Sequence, residues 1–347
     1  MSHKKILLID CQVAGIAGNM LLGALLDLGA DMEKVTCAME SAKDFVNGCN
    51  SIDVVVKDVM QREFRAKEVN VVIDEEFDYR TGIEIMQAVK NCAESLELSD
   101  KASKMALGSV KTLMEAEISV HGARLEDVHL HEIGSADTVA DIIGNVIALE
   151  DLGALKDTII CSTAVAVGGG FIKISHGIVP VPSPATLEIL RSRNFPMIGG
   201  PVEAELTTPT GASLLVNLTS KYVQFYPLMK AEVVGFGAGC TDLGAVPNIV
   251  RVILGDTSAS DLLRDEIYVL ETNVDDATGE VIGHAVEKLS EAGAIDVCII
   301  PVFTKKNRPG QMIKAIVSKE DVKRLSRLMM EETGTLGVRV LPCRTIG

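Results

Sequence analysis

The chain has 347 residues, enough for about two domains, and its 47% hydrophobic and 23% charged residues exclude a disordered or collagen-like polypeptide. Its 33 Lys and Arg against 48 Asp and Glu leave a net charge of −15, and with 3% aromatics and no Trp this argues against nucleic acid or an anionic membrane as partner. The eight cysteines, at 11, 37, 49, 92, 161, 240, 298 and 343, form no C-x-x-C pair, so local zinc motifs are excluded and the scatter reads as reduced thiols of a cytoplasmic protein.

The basic opening His3-Lys4-Lys5 looks like the start of a signal peptide, but the apolar run from Ile6 ends at Asp10, too soon for a leader, and reads as a first strand. A glycine-containing turn, Ala14 to Gly18, then leads into a helix from Asn19 to Leu28. Ile52 to Met60 and Lys67 to Ile73 have the β-branched content of a strand pair. Helices are predicted over Lys101 to Ser119 and Val139 to Leu152, and a buried strand over Thr158 to Val167. Gly168-Gly169-Gly170 marks a loop, and the three prolines between Gly177 and Pro184 mark an irregular or edge segment. No run approaches the roughly 18 apolar residues of a membrane span.

The character of the chain changes near Gly255. Residues 256–265 are polar and read as a linker between a larger mixed α/β domain, 1–255, and a second domain, 266–347. In the second, Glu266 to Thr272, Gly279 to Ala292, Asp296 to Thr304, Met312 to Ser318, Glu320 to Glu332 and Leu336 to Leu341 follow the order β-α-β-β-α-β of a ferredoxin-like module. The whole is an α+β protein. Residues 265–347 hold 11 basic and 13 acidic side chains, so nearly all the negative charge belongs to the first domain.

The strongest chemical signal is His129-Leu130-His131-Glu132-Ile133-Gly134, followed by Ser135, Asp137 and Asp141. In an extended chain His129 and His131 face the same way. With Glu132 and Asp137 close by, they supply nitrogen and oxygen ligands for Ni, Zn, Cu or Fe; the bland alternative is a pair of hydrogen-bonded structural histidines. Asp10-Cys11 and Gly15 to Gly18 form a strand end leading to a helix N-terminus, a place where anions bind but also an ordinary turn. Thr207-Thr208-Pro209-Thr210-Gly211 is a comparable hydroxyl-rich helix start. In the second domain Glu271, Asp275 and Asp276 close a strand with three carboxylates suited to Mg²⁺ or Mn²⁺ carrying a nucleoside triphosphate. Lys305, Lys306 and Arg308 form a basic hairpin suited to phosphate, or a solvated turn.

Taken together, these motifs resemble the nickel insertion proteins of the lactate racemase nickel-pincer cofactor pathway. The likeness runs through Asp10 to Met20, Glu117 to Gly122, His129 to Gly134 with Asp137 and Asp141, Thr208-Pro209-Thr210-Gly211, Pro247-Asn248, Glu271 to Asp276, Lys305 to Gly310 and Glu332 to Arg339, in order along nearly the whole chain. The resemblance implies insertion of Ni²⁺ into pyridinium-3,5-bisthiocarboxylic acid mononucleotide, with CTP and Mg²⁺ or Mn²⁺ required. On this reading His129, His131 and Glu132 handle nickel, with Asp10, Glu132 and Asp137 as candidate catalytic groups. Asp275, Asp276, Lys305, Lys306 and Arg308 hold the metal-bound CTP, and a homo-oligomer is expected. Two departures stand out: Asn19 occupies a position where the family usually has Asp, and the chain stops at Gly347 where relatives usually continue, so that CTP binding or assembly is expected to differ. Two other function classes fit the histidine pair, a nickel or zinc carrier without turnover and a metal-dependent hydrolase; CTP dependence separates the first, and turnover of simple esters the second.

Overall fold

The computed structural model describes residues 3–77, 80–122, 129–130, 135–174, 177–258 and 266–344. The chain divides into two compact units, Met1–Ser258 and Ala259–Gly347.

The first unit opens with β1 (His3–Asp10), α1 (Gly18–Asp27) and α2 (Met32–Ser41), then the hairpin β2 (Cys49–Gln61) and β3 (Phe64–Glu75). Arg62 and Glu63, both with positive φ, make the two-residue turn between those strands. Next come β4 (Arg80–Thr81), α3 (Gly82–Ser95), α4 (Asp100–His121), β5 (His129–Leu130) and α5 (Ala136–Asp151). The remainder comprises β6 (Thr158–Ser162), β7 (Val165–Ala166), β8 (Phe171–Ile174), β9 (Gly177–Pro180), α6 (Pro184–Ser192), β10 (Met197–Ile198), α7 (Pro209–Leu218), β11 (Lys221–Tyr222), β12 (Lys230–Ala238) and β13 (Ile249–Ser258).

Seven of these strands form one mixed sheet in the order β11-β6-β1-β13-β12-β3-β2. The helix starts follow their side chains: Thr81 and Glu84 make a reciprocal capping box on α3, Ser99 caps α4 and Thr208 caps α7. Helix α1 lies on β12 and β3, with α5 packed against it. This approach depends on glycine. A Cβ on Gly237 would fall inside the Met20 carbonyl oxygen, and one on Gly23 inside the Lys67 carbonyl oxygen. Helix α5 is covered on nearly all sides, including Val139, Ile142, Ile143, Val146 and Leu149, and is the central helix of the unit's core.

Several boundaries differ from the sequence reading: α5 starts at Ala136 rather than Val139, the last strand of the chain runs from Arg339 to Arg344 rather than Leu336 to Leu341, and two further segments depart from it. The strand predicted over Thr158 to Val167 breaks after Ser162, where β6 ends; the Thr163 N–H still donates to the Ile9 carbonyl at 3.1 Å, and β7 then pairs with β10 instead, its Val165 N–H donating to the Pro196 carbonyl at 3.1 Å. The linker predicted from Asp256 starts later, because β13 runs on through Asp256 and Thr257, opposite Lys5 and Lys4 of β1. Its polar side chains have partners there: Asp256 pairs with Lys5 at 3.1 Å, and the Thr257 hydroxyl donates to the Leu228 carbonyl at 2.8 Å. Residues 259–265 lie outside the described part.

The second unit contains β14 (Glu266–Val274), α8 (Gly279–Glu291), β15 (Asp296–Phe303), β16 (Pro309–Ser318), α9 (Val322–Thr333) and β17 (Arg339–Arg344). Its antiparallel sheet has the order β15-β16-β14-β17, the ferredoxin-like arrangement that the order of elements predicted. Leu270, Val274, Ile313, Ala315 and Val317 face Ile282, Leu289, Leu325 and Met329 of the two helices in a core of its own. Among the described residues no helix is long and apolar enough to cross a membrane.

The glycine contacts predict opposite outcomes at two sites. Gly237→Ala forces α1 off the sheet and costs about 1–3 kcal/mol, a fall of several degrees in the thermal midpoint. Gly283→Ala on the exposed side of α8 meets nothing within 4 Å and is neutral or stabilising by about 0.5–1 kcal/mol. Differential scanning calorimetry of both variants checks the pair.

Candidate functional site

The loops before α1 and α7 run side by side. Ile16 and Thr207 form a parallel bridge, the Ile16 N–H donates to the Leu206 carbonyl at 3.0 Å, and the Thr208 N–H donates to the Ile16 carbonyl at 3.1 Å. Both helices therefore begin at the same place. A Cβ on Gly211 would collide with the backbone of Ile16 and Ala17, so α7 can start this close only with glycine there.

Helix α5 completes the arrangement. Asn145 is fully buried and its amide donates to the Gly18 carbonyl at 2.9 Å and to the Asp141 carbonyl at 2.8 Å, stitching α5 to the first residue of α1. Gly18 in turn lies against the Asp141 carboxylate, which occupies the space a side chain at 18 would need.

Between the three helix starts is a cavity of about 350 Å³. Ala17, Gly18 and Asn19 line it from α1, Asp137, Thr138 and Asp141 from α5, Thr208, Pro209 and Thr210 from α7, and Asn70 and Val71 from β3. The N-cap position of α1, Ala17, offers no side-chain cap, so the first N–H groups of that helix carry the partial positive charge of an open N-terminus. Asp137 and Asp141 are four residues apart and share one face of α5. Loss of water around the Asp137 carboxyl raises its proton affinity, with the charge of Glu75 adding to the effect. Asp141 is pushed up to about 8, first by burial and then by the neighbouring charge of Asp137. Its Oδ1 is covered and has no hydrogen-bond partner among the described residues. Such a site favours two kinds of occupant: a cation that neutralises the carboxyl pair, and an anion at the helix N-termini.

Of the residues singled out from sequence, Asp137 lies in this cavity, together with Asn19, Asp141 and Thr208 to Thr210 from the same motifs. His129 belongs to β5, opposite Thr81 of β4. His131 and Glu132 lie outside the described residues. Among the described residues no group of three or more His, Cys, Asp and Glu converges as a metal site, so the two aspartates alone do not make one.

Asp10 is placed elsewhere. It lies opposite Arg251 on β13, whose Nη2 donates to its Oδ2 at 2.5 Å and whose Nε donates at 3.1 Å. The Tyr226 hydroxyl donates to the same oxygen, and burial together with the Asp10 charge holds that phenol far above its ordinary range. Asp10 borders a smaller recess of about 170 Å³ with Val13, Phe64 and Phe236, apart from the cavity of Asp137. Its carboxylate is committed to an ion pair. Residues 226 and 251 are far from Asp10 in sequence, and no local spacing marks them as its partners.

In the second unit the end of β14 and the hairpin between β15 and β16 do meet. The Thr304 hydroxyl donates to Asp275 Oδ2 at 2.9 Å, and Gly310 packs against Val274 and Asp275 so closely that a Cβ would sit 2.9 Å from the Val274 carbonyl oxygen. Asp276, Lys305 and Arg308 are exposed beside this contact; nothing is described of the Lys306 side chain. Glu271, counted with these carboxylates from sequence, is instead held by Lys314 at 2.9 Å and Arg339 at 3.6 Å, and the Lys314 hydrogen bond lowers its proton affinity. It points to the sheet face that those two strands share.

The Asp141 carboxyl gives this site a pH signature. Its proton affinity is higher folded than unfolded, so the folded state is favoured by the neutral form, and this contribution is lost as pH rises from the ordinary carboxyl range toward about 8. Asp141→Asn removes that dependence. Without added divalent metal, the variant is expected to melt above wild type by a larger margin at pH 8 than at pH 5; equal shifts at both pH values would contradict a buried titrating carboxyl.

Comparison with known proteins places these observations. Residues 7–346 match the nickel insertion protein family. A provisionally named nickel insertion protein of Methanothermobacter thermautotrophicus is 44% identical over 336 residues, 96% of this chain and 78% of that protein. The pyridinium-3,5-bisthiocarboxylic acid mononucleotide nickel insertion protein of Acetivibrio thermocellus is 37% identical over 342 residues, 96% of this chain and 81% of that protein. Among solved structures, LarC2, the C-terminal domain of a cyclometallase involved in the synthesis of the NPN cofactor of lactate racemase, matches 23% of this chain and 56% of its own at 36% identity, with a TM-score of 0.23. With its motifs in order and a match over nearly its whole length, the chain belongs to the nickel insertion protein family.

Proposed function

We propose that this protein inserts Ni²⁺ into pyridinium-3,5-bisthiocarboxylic acid mononucleotide in a CTP-dependent reaction. The observation that carries this reading is the cavity where α1, α5 and α7 begin, lined by Asp137 and Asp141 and following directly in sequence on His129 to Gly134. The name of the Acetivibrio thermocellus relative supplies the substrate.

The chemistry makes three demands. Two thiocarboxylate sulfurs donate electron pairs to nickel, a ring carbon forms the Ni–C bond, and the proton that carbon loses must be accepted. His129, His131 and Glu132 are assigned the delivery of nickel, as borderline and hard ligands. Asp137 and Asp141 are assigned to the ring end of the substrate, where they offset the metal's charge and take the departing proton. A carboxyl with a proton affinity near neutral pH is suited to that transfer, because it is available as a base and can later release what it has taken. The open N-terminus of α1 and the hydroxyls of Thr208 and Thr210 are assigned to the nucleotide phosphate. Asp10 is assigned a supporting role through its pair with Arg251.

The second unit is assigned CTP. Two adjacent exposed carboxylates, Asp275 and Asp276, with Lys305 and Arg308 on the facing hairpin, fit a Mg²⁺ or Mn²⁺ ion, which is held by one or two carboxylates and by the phosphates themselves. When bound, the ion offsets phosphate charge. Lys305, Lys306 and Arg308 would supply the remaining positive charge, and Thr304 orients Asp275. Assembly into a homo-oligomer is part of the same proposal.

Purified protein with the bisthiocarboxylated nucleotide, Ni²⁺, Mg²⁺ or Mn²⁺ and CTP is expected to yield the metalated nucleotide by mass spectrometry. Omission of CTP abolishes product. Lys305→Ala and Arg308→Ala raise the CTP concentration needed, by roughly tenfold each if they touch phosphate, whereas Asp137→Asn and Asp141→Asn lower turnover at saturating CTP. Tight Ni²⁺ binding with no product under any condition would favour a carrier, and turnover of simple phosphate esters with Zn²⁺ a hydrolase.

A further inference from the structure

The strand pair that carries His129 is very short. β4 and β5 contribute two residues each, paired Arg80 with Leu130 and Thr81 with His129, and a ladder of that length has little stability of its own. Its β4 side is anchored by a buried charge. Arg80 is 3% exposed, and its Nη1 donates to Glu75 Oε2 at 2.7 Å while its Nε donates to the Asn47 carbonyl at 2.9 Å. A guanidinium this deep is retained only with its partner in place.

The same Glu75 carboxylate also reaches α5. Its Oε1 accepts from the Ser135 hydroxyl at 2.9 Å, and its Oε2 accepts from the Ala136 N–H at 3.3 Å. Ser135 stands at the N-cap of α5 yet makes no side-chain cap to its own helix, so Glu75, from the end of β3, takes over that function. Asp137 is in the first turn of this helix and Asp141 follows one turn on. One carboxylate thus joins the strand next to His129 to the helix that presents the cavity's two aspartates.

We infer that Glu75 and Arg80 are a positioning pair for metal insertion: together they set the His129 strand against the Asp137 and Asp141 carboxylates. The inference rests on the proposed function and adds a role that neither residue's own motif suggests. Neither residue lines the cavity; Glu75 acts through Ser135 and Ala136 at the start of the helix that carries the lining aspartates, and Arg80 through the strand paired with β5. Misplacement of a reacting group by about 1 Å costs on the order of a hundredfold in rate. A positioning role therefore shows in turnover rather than in substrate affinity.

The test uses the full chain carrying Glu75→Gln, which keeps the shape and one acceptor oxygen, and Arg80→Lys, which keeps the charge and loses the fork. Nickel insertion is followed as kcat and KM, folding by circular dichroism, and the metal environment by the visible spectrum of bound Co²⁺. Folded Glu75→Gln is expected to lose at least tenfold in kcat with KM for the nucleotide within twofold, and to shift the Co²⁺ spectrum. The double variant is expected to be no slower than the worse single one, since the two residues act as a unit. Unchanged kcat, or losses that multiply, would overturn the inference. Should Glu75→Gln fail to fold, Ser135→Ala replaces it: a two- to fivefold loss in kcat with the same spectral shift supports the pair, and wild-type behaviour refutes it. If wild-type protein inserts no nickel, the proposed function fails. The Co²⁺ spectra of wild type and Glu75→Gln then decide the pair alone, a difference supporting it and identity overturning it.

Discussion

The start of α1 can touch α5 only because residue 18 has no side chain. The Asp141 carboxylate fills the space where a Cβ would be, and Asn145 ties the Gly18 carbonyl to the same helix. From that contact follows the rest of the cavity. The bridge between Ile16 and Thr207 brings α7 alongside α1, so three helices open onto one recess, and the acidic pair on α5 lies among helix termini of the opposite polarity. The arrangement costs stability, because a covered carboxyl oxygen with no hydrogen-bond partner among the described residues is a poor choice for a core, and such conflicts between local preference and fold concentrate at functional positions.

The two units present different chemistry. The first combines a recess with a carboxyl pair of raised proton affinity, suited to a cation and to proton exchange. The second has an exposed strand end and a basic hairpin joined by the Thr304 to Asp275 hydrogen bond, suited to the phosphates of a nucleotide. The proposed CTP-dependent nickel insertion has a use for both.

Much of this was legible in the sequence where the signal is local. The β-α-β-β-α-β order of the second unit follows from periodicity over some eighty residues, and the helix at Asn19 from a glycine turn before an apolar run. The spacing of Asp137 and Asp141 is that of neighbours on a helix face, but a helix predicted only from Val139 leaves Asp137 outside it; α5 starts at Ala136, whose N–H is taken up by the distant Glu75. What was hidden is pairing at a distance. Arg251 and Tyr226 claim Asp10 across more than 200 residues, and Lys314 and Arg339 claim Glu271 through the sheet register, so two carboxylates that look available in sequence are already engaged. Glu75 and Arg80 lie in a strand end and a two-residue strand with no motif, and only the fold reveals that they reach Ser135 and the His129 strand. The late end of β13 has the same origin, since Asp256 is polar but has Lys5 opposite it.

The central claim is that nickel meets its substrate at the cavity of Asp137 and Asp141. Anomalous diffraction at the nickel absorption edge, from crystals grown with Ni²⁺ and the bisthiocarboxylated nucleotide, tests it most directly. A nickel peak is expected in that cavity, within coordination distance of an Asp137 or Asp141 oxygen or of the histidine segment that precedes them. A fully occupied peak confined to the Asp10 recess or to the second unit, with the cavity empty, would contradict it.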